Sequence, residues 1–102
     1  MFRHVVLLRF VPEATTEQKD VIVDALRKLP AQIPELRDYR VGRDAGLAPT
    51  NYDLAVVADV DDEAAYVVYR DHEAHQQVIR ELIAPILAER AAVQYQAGPP
   101  LA

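Results

Sequence analysis

From Arg3 to Phe10 the chain reads RHVVLLRF, a β-branched and apolar run closed by Val11-Pro12, and this predicts a first strand. Thr15-Thr16-Glu17-Gln18 then opens a helix, because a Thr15 N-cap with Gln18 three residues later forms a capping box. Val21, Ile22, Ala25, Leu26 and Leu29 recur at helical spacing, and Pro30 and Pro34 end the run. A second strand is expected over 36–43. Turn formers from Asp44 to Asn51 lead into a third over 52–60. Asp61-Asp62-Glu63 place negative charge and a cap at the start of a short helix over 62–70. A second helical piece begins near Asp71 and carries Val78, Ile79, Leu82, Ile83 and Ile86. Pro85 removes one backbone donor inside it and should bend it. RAAVQYQ, residues 90–96, predicts the last strand.

The order is β-α-β-β-α-β, an α+β class. Two such βαβ units fold as an antiparallel four-stranded sheet with both helices on one face. Residues 1–97 are expected to form one domain and 98–102 a C-terminal tail. Alternation divides the first strand into His4, Val6, Leu8 and Phe10 on one side and Arg3, Val5, Leu7 and Arg9 on the other. The third strand likewise keeps Ala55 and Val57 opposite Leu54, Val56 and Ala58. Helices can shelter only one side. Val5, Leu7, Ala55 and Val57 are then left bare, with Val41 or Tyr39 of the second strand as additions. An apolar patch of this kind marks an interaction surface, and a two-fold homodimer is the commonest way to remove it. The alternative is a monomer with a greasy sheet.

Composition narrows the partners. With 51% hydrophobic and 26% charged residues among 102, the chain is globular rather than disordered. The net charge is -5, and the 11 basic residues are scattered, so no basic face awaits a nucleic acid. The Val5–Leu8 run is too short for a signal-peptide core or a membrane span, which suggests a cytoplasmic protein. Cysteine is absent, which excludes disulfides and thiol chemistry, and the absence of serine excludes a serine triad.

Chemistry concentrates in one stretch. Tyr66, Tyr69, His72 and His75 fall within AYVVYRDHEAH, while His4 stands alone on the first strand. On a helical wheel of about 100° per residue, His75 lies within about 40° of Ile79, Leu82 and Ile86, on the buried stripe. If His4 shares the helix-covered side, both histidines enter one space between sheet and helices. A histidine there can act as general base or acid, and Tyr69 can orient a substrate oxygen or donate to a developing oxyanion. No cofactor is required. The plainer alternatives are that each histidine satisfies a carbonyl or a neighbour, that His72 caps a helix, and that Tyr66 and Tyr69 are packing aromatics. His72 and His75 lack the HExxH spacing, so no metal role is assigned.

The segments HVVLLRF, PAQIPELRDYRVGRD, YDLAVVADV and YRDHEAHQQVIRELIAPILAER together resemble the stress-responsive A/B barrel (Dabb) family over about residues 2–96. Tyr69–His72–His75, combined with His4, is the most specific part. The resemblance implies a ferredoxin-like fold that pairs into a dimeric α+β barrel. Many members of the family are known only as stress-induced proteins. Some, the plant polyketide cyclases of the olivetolic acid type, close a linear polyketide without cofactor. By that likeness a histidine at His75 is the base, a tyrosine at Tyr69 binds or polarises the substrate, and His4 helps line the pocket, with His72 and Tyr66 as further substrate-binding candidates. Dimeric α+β barrels also include cofactor-free oxygenases. Two positions depart from the family's pattern: Glu73 stands where proline often begins the helix, and the first helix carries no tyrosine. The readings to be compared are therefore a small-molecule-binding homodimer, a cofactor-independent cyclase, lyase or isomerase, and a stress-associated assembly without catalysis.

Overall fold

The computed structural model describes residues 1–98; the expected tail from Pro99 onward lies outside the described residues. Strands β1 (Phe2–Phe10), β2 (Asp38–Arg43), β3 (Leu54–Val60) and β4 (Leu87–Gln96) form one sheet in the order β2-β3-β1-β4, all neighbours antiparallel. Helices α1 (Thr16–Arg27), α2 (Glu63–Asp71) and α3 (Glu73–Val78) complete a ferredoxin-like α+β fold. α1 starts on the capping box its sequence spells. The Gln18 N–H donates to Thr15 Oγ1 at 3.1 Å, and the Thr15 N–H donates to Gln18 Oε1 at 2.8 Å. α2 is capped by Asp62, whose carboxylate accepts from the Ala65 N–H at 2.8 Å.

The core lies between the sheet and the helices. Phe2, Val6, Leu8 and Phe10 of β1 meet Ile22, Val23 and Leu26 of α1, all buried. Pairing then settles which β2 residues join them. Tyr39 faces Ala58 and Val41 faces Val56, so both lie on the helix side, and the expectation that they extend the bare face is overturned. β2 gives the bare face Asp38, Arg40 and Gly42 instead. That face carries Val5, Leu7, Ala55 and Val57 as expected. β4 adds Ala91, Val93 and Tyr95, because these pair with Leu7, Val5 and Arg3. Val93 and Tyr95 are exposed.

Two irregularities shape the site. After α3 the helix widens into a π turn over Ile79–Ile83, with the Ala84 N–H reaching the Ile79 carbonyl, and then tightens to a 3₁₀ turn at Ala84–Ile86. Pro85 offers no N–H and crowds the carbonyl four residues earlier, so the strain expected as a bend is taken up as a change of helical register. The extra residue of the wide turn keeps Ile83 in line with His75 and Ile79. Leu82 and Ile86, expected on that stripe, turn instead toward Glu17, Gln18 and Val21 of α1. A bulge in β4 opposite Arg9 and Phe10 is the second irregularity. It brings Leu87 opposite Phe10, so β4 begins three residues before the expected 90–96.

Candidate functional site

α1 packs toward β2, and β4 is held chiefly by β1. A cavity of about 210 Å³ remains between β1, β4 and the segment from α2 through the π turn. Seven of its fifteen lining residues are aliphatic, Val6, Leu8, Ile79 and Ile83 among them. Its polar side chains are His4, Tyr39, Tyr66, Tyr69, Arg70, His75, Gln76 and Arg90. Leu26 of α1 also stands in its wall.

Four of the five residues singled out from sequence come together here: His4, Tyr66, Tyr69 and His75. The His75 ring stacks on Tyr69 with centroids 4.3 Å apart, and the Tyr66 ring leans on His4 at 4.9 Å. His72 is the fifth, and it lies outside the cavity wall. Its backbone leaves the helical region (φ -60, ψ 134), and its Nδ1 accepts the Ala74 N–H at 3.0 Å, so it caps α3. This cap breaks the helix between Tyr69 and His75, which lets residues six apart meet ring to ring. Among the described residues no three His, Asp or Glu side chains gather as a metal site would require.

The hydrogen bonds fix the tautomers. His75 Nδ1 donates to the Arg70 carbonyl at 3.0 Å, which leaves Nε2 as the nitrogen available to a ligand. Burial lowers the His75 pKa, partly offset by carbonyls of Arg70 and Tyr69, so the neutral, basic form persists at neutral pH. The Gln94 amide donates to His4 Nδ1 at 2.9 Å, so the His4 proton sits on Nε2. Burial, followed by the charges of Arg90 and His75, brings the His4 pKa down to about 4. The Tyr39 and Tyr69 hydroxyls are 3.1 Å apart. Burial raises both pKa values, Tyr69's to about 12; their shared bond opposes proton loss from Tyr39 and eases it from Tyr69. Either hydroxyl can donate in that bond, and both line the cavity, so one proton of the pair stays available to a guest. A neutral base and a neutral hydroxyl donor face one apolar space.

Tyr39, Arg90, Gln94 and Leu87 were missed from sequence. A signal existed for Tyr39: flanked by Asp38 and Arg40, it alternates out of phase with two charges. Arg90 and Gln94 become site residues through their pairing with Leu8 and His4, and sequence carries no mark of that register.

A family model described as Stress responsive A/B Barrel Domain matches residues 2–97. An uncharacterized protein of Streptomyces coelicolor is 35% identical over 78 residues, covering 74% of this chain and 80% of its own. Among solved structures, a dimeric ferredoxin-like protein of unknown function from Thermobifida fusca is 48% identical, with a TM-score of 0.84 over 92% of this chain and 88% of that one. A hydroxynitrile lyase from Passiflora edulis shares the fold at 18% identity, with a TM-score of 0.79 over 97% and 96% of the two chains. The chain belongs to the stress-responsive A/B barrel family.

Proposed function

We propose that this member of the family is a homodimer whose sheet–helix cavity binds a small organic molecule against His75 and Tyr69. The observation that carries the reading is the neutral His75 Nε2 beside the Tyr69–Tyr39 hydroxyl pair, which keeps one proton for a guest, at the wall of a largely apolar cavity. Tyr66 and His4 supply an aromatic wall and one N–H. At about 210 Å³ the space lies below the range of drug-sized ligand pockets, roughly 300–1,000 Å³. It suits a guest of about ten non-hydrogen atoms at protein packing density. Pairing through the bare sheet face rests on the apolar patch there and on the dimeric relative at 48% identity. No helix among the described residues is long and apolar enough to cross a membrane, and a cytoplasmic setting accords with this.

A second reading, turnover of the guest, is favoured by the Arg70 carbonyl behind His75. That carbonyl holds Nδ1–H and would steady the imidazolium formed when Nε2 takes a proton from a carbon beside a carbonyl or from a hydroxyl. Tyr69 O–H would meet the developing oxyanion. This is cofactor-independent cyclase, lyase or isomerase chemistry, and the shared fold of a hydroxynitrile lyase supports a catalytic use of the scaffold.

The test compares wild type with His75→Ala and His75→Gln against β-keto and polyketide-like compounds, following both binding and turnover. Binding that weakens in both variants supports the cavity, and turnover lost in both supports the base. Identical behaviour of the three proteins would remove His75 from the function.

A further inference from the structure

Arg90 differs from every other arginine in the chain. Of nine arginines, seven sit in ion pairs and Arg27 donates to the Val41 carbonyl at 2.7 Å. Arg90 alone has no hydrogen-bond or ion-pair partner among the described residues. The chain has 16 acidic residues against 11 basic ones, so an unpaired guanidinium is unusual in it. Its place sharpens the point. Arg90 pairs with Leu8 across β1–β4, which puts it on the helix side of the sheet and at the cavity wall, away from the face proposed for dimerisation.

The wall holds no aspartate or glutamate at all. Its other cation, Arg70, is already neutralised by Asp71 at 2.8 Å. Arg90 is therefore the one uncompensated charge at a largely apolar hollow. The positive charge also reaches inward: after burial it helps lower the pKa values of His4 and His75, and it offsets part of the rise at Tyr69. A site of this kind favours a guest with an apolar body and a single anionic end. A carboxylate fits a guanidinium fork through two parallel N–H···O bonds, and at the mouth of the cavity it need not shed all its water.

We propose that the guest is a small organic monocarboxylate whose apolar body lies among Val6, Ile79 and Ile83 and whose carboxylate is met by Arg90. The proposal rests on the cavity being a ligand site. It orients the guest, with the acid at the β4 edge and the rest of the molecule toward His75 and Tyr69.

Three probes of nearly equal size test it: phenylacetate, phenylacetamide and phenethylamine, titrated at low salt while the backbone amide resonances of residues 66–79 and 87–94 are followed by nuclear magnetic resonance. Phenylacetate is expected to shift these resonances with a Kd about tenfold below that of the amide, with the amine weakest. Arg90→Gln should remove the preference for the acid while leaving amide binding unchanged, and Arg90→Lys should keep part of it. Acid and amide binding alike in wild type, or a preference that survives Arg90→Gln, would overturn the assignment of Arg90 while leaving the cavity as a binding site. Absence of any shift with all three probes would overturn the cavity reading as well.

Discussion

His4 shows what the interior does to a titratable side chain. The ring is 4% exposed, packed against Tyr66 and tied to Gln94. Its pKa falls from 6.5 to about 4 in the folded chain. The unfolded chain therefore takes up a proton first as pH drops, so the stability His4 permits is complete above about pH 6.5 and declines toward pH 4. The decline amounts to about 2–3 kcal/mol by pH 4.5. His75 adds a loss of the same sign. Urea unfolding of wild type and His4→Gln at pH 7 and pH 4.5 measures this, and the variant should show the smaller drop. Equal drops would mean that His4 does not govern the acid sensitivity. At this scale the sequence was informative for groups within one segment: the spacing of Tyr69 and His75, and the alternation that turned His4 inward, both led to the cavity. Arg90 and Gln94 owe their roles to partners about eighty or ninety residues away, and only strand register reveals those.

Among the elements, those that end on local chemistry were the readable ones. α1 begins where Thr15 and Gln18 say it must, and α2 begins at Asp62 for the same reason: each cap satisfies helix N–H groups from within a few residues. Thr15→Ala should lower stability by about 1 kcal/mol, seen as a lower urea midpoint with an unchanged slope. An unchanged midpoint would show that the cap is dispensable and that packing of Ile22 and Leu26 alone holds α1. The π turn and the β4 bulge could not be read in this way. A wheel of constant pitch sorted Leu82 and Ile86 with His75, but the widened turn before Pro85 sends them toward α1 and puts Ile83 on the cavity. The bulge converts Leu87 from a linker residue into cavity wall. In both places one residue of slippage, settled by tertiary packing, changes which side chain the site receives.

For the whole molecule, the decisive asymmetry is between the two faces of the sheet. One is covered by helices and contains the cavity. The other presents Val5, Leu7, Ala55, Val57 and Val93 beside the part-buried pair of Arg3 and Asp59, joined at 2.8 and 2.9 Å. Asp59 is 6% exposed although no helix lies over it, which leaves a face whose charge is already satisfied and whose remaining surface is apolar. Isologous pairing removes this face from water, and burying each large aliphatic side chain there is worth about 1.5–3 kcal/mol. Val93 separates assembly from folding, because it is 57% exposed in the single chain and lies outside the core between sheet and helices. Sedimentation of wild type should give a mass of about 23 kDa, twice the 11.4 kDa of one chain. Val93→Glu would place an unpaired carboxylate in the face that pairing buries, and it should sediment as a folded single chain. Because the cavity opens on the opposite side, that monomer should still bind phenylacetate. A wild type that sediments at the mass of one chain would mean that the apolar face serves some end other than self-association.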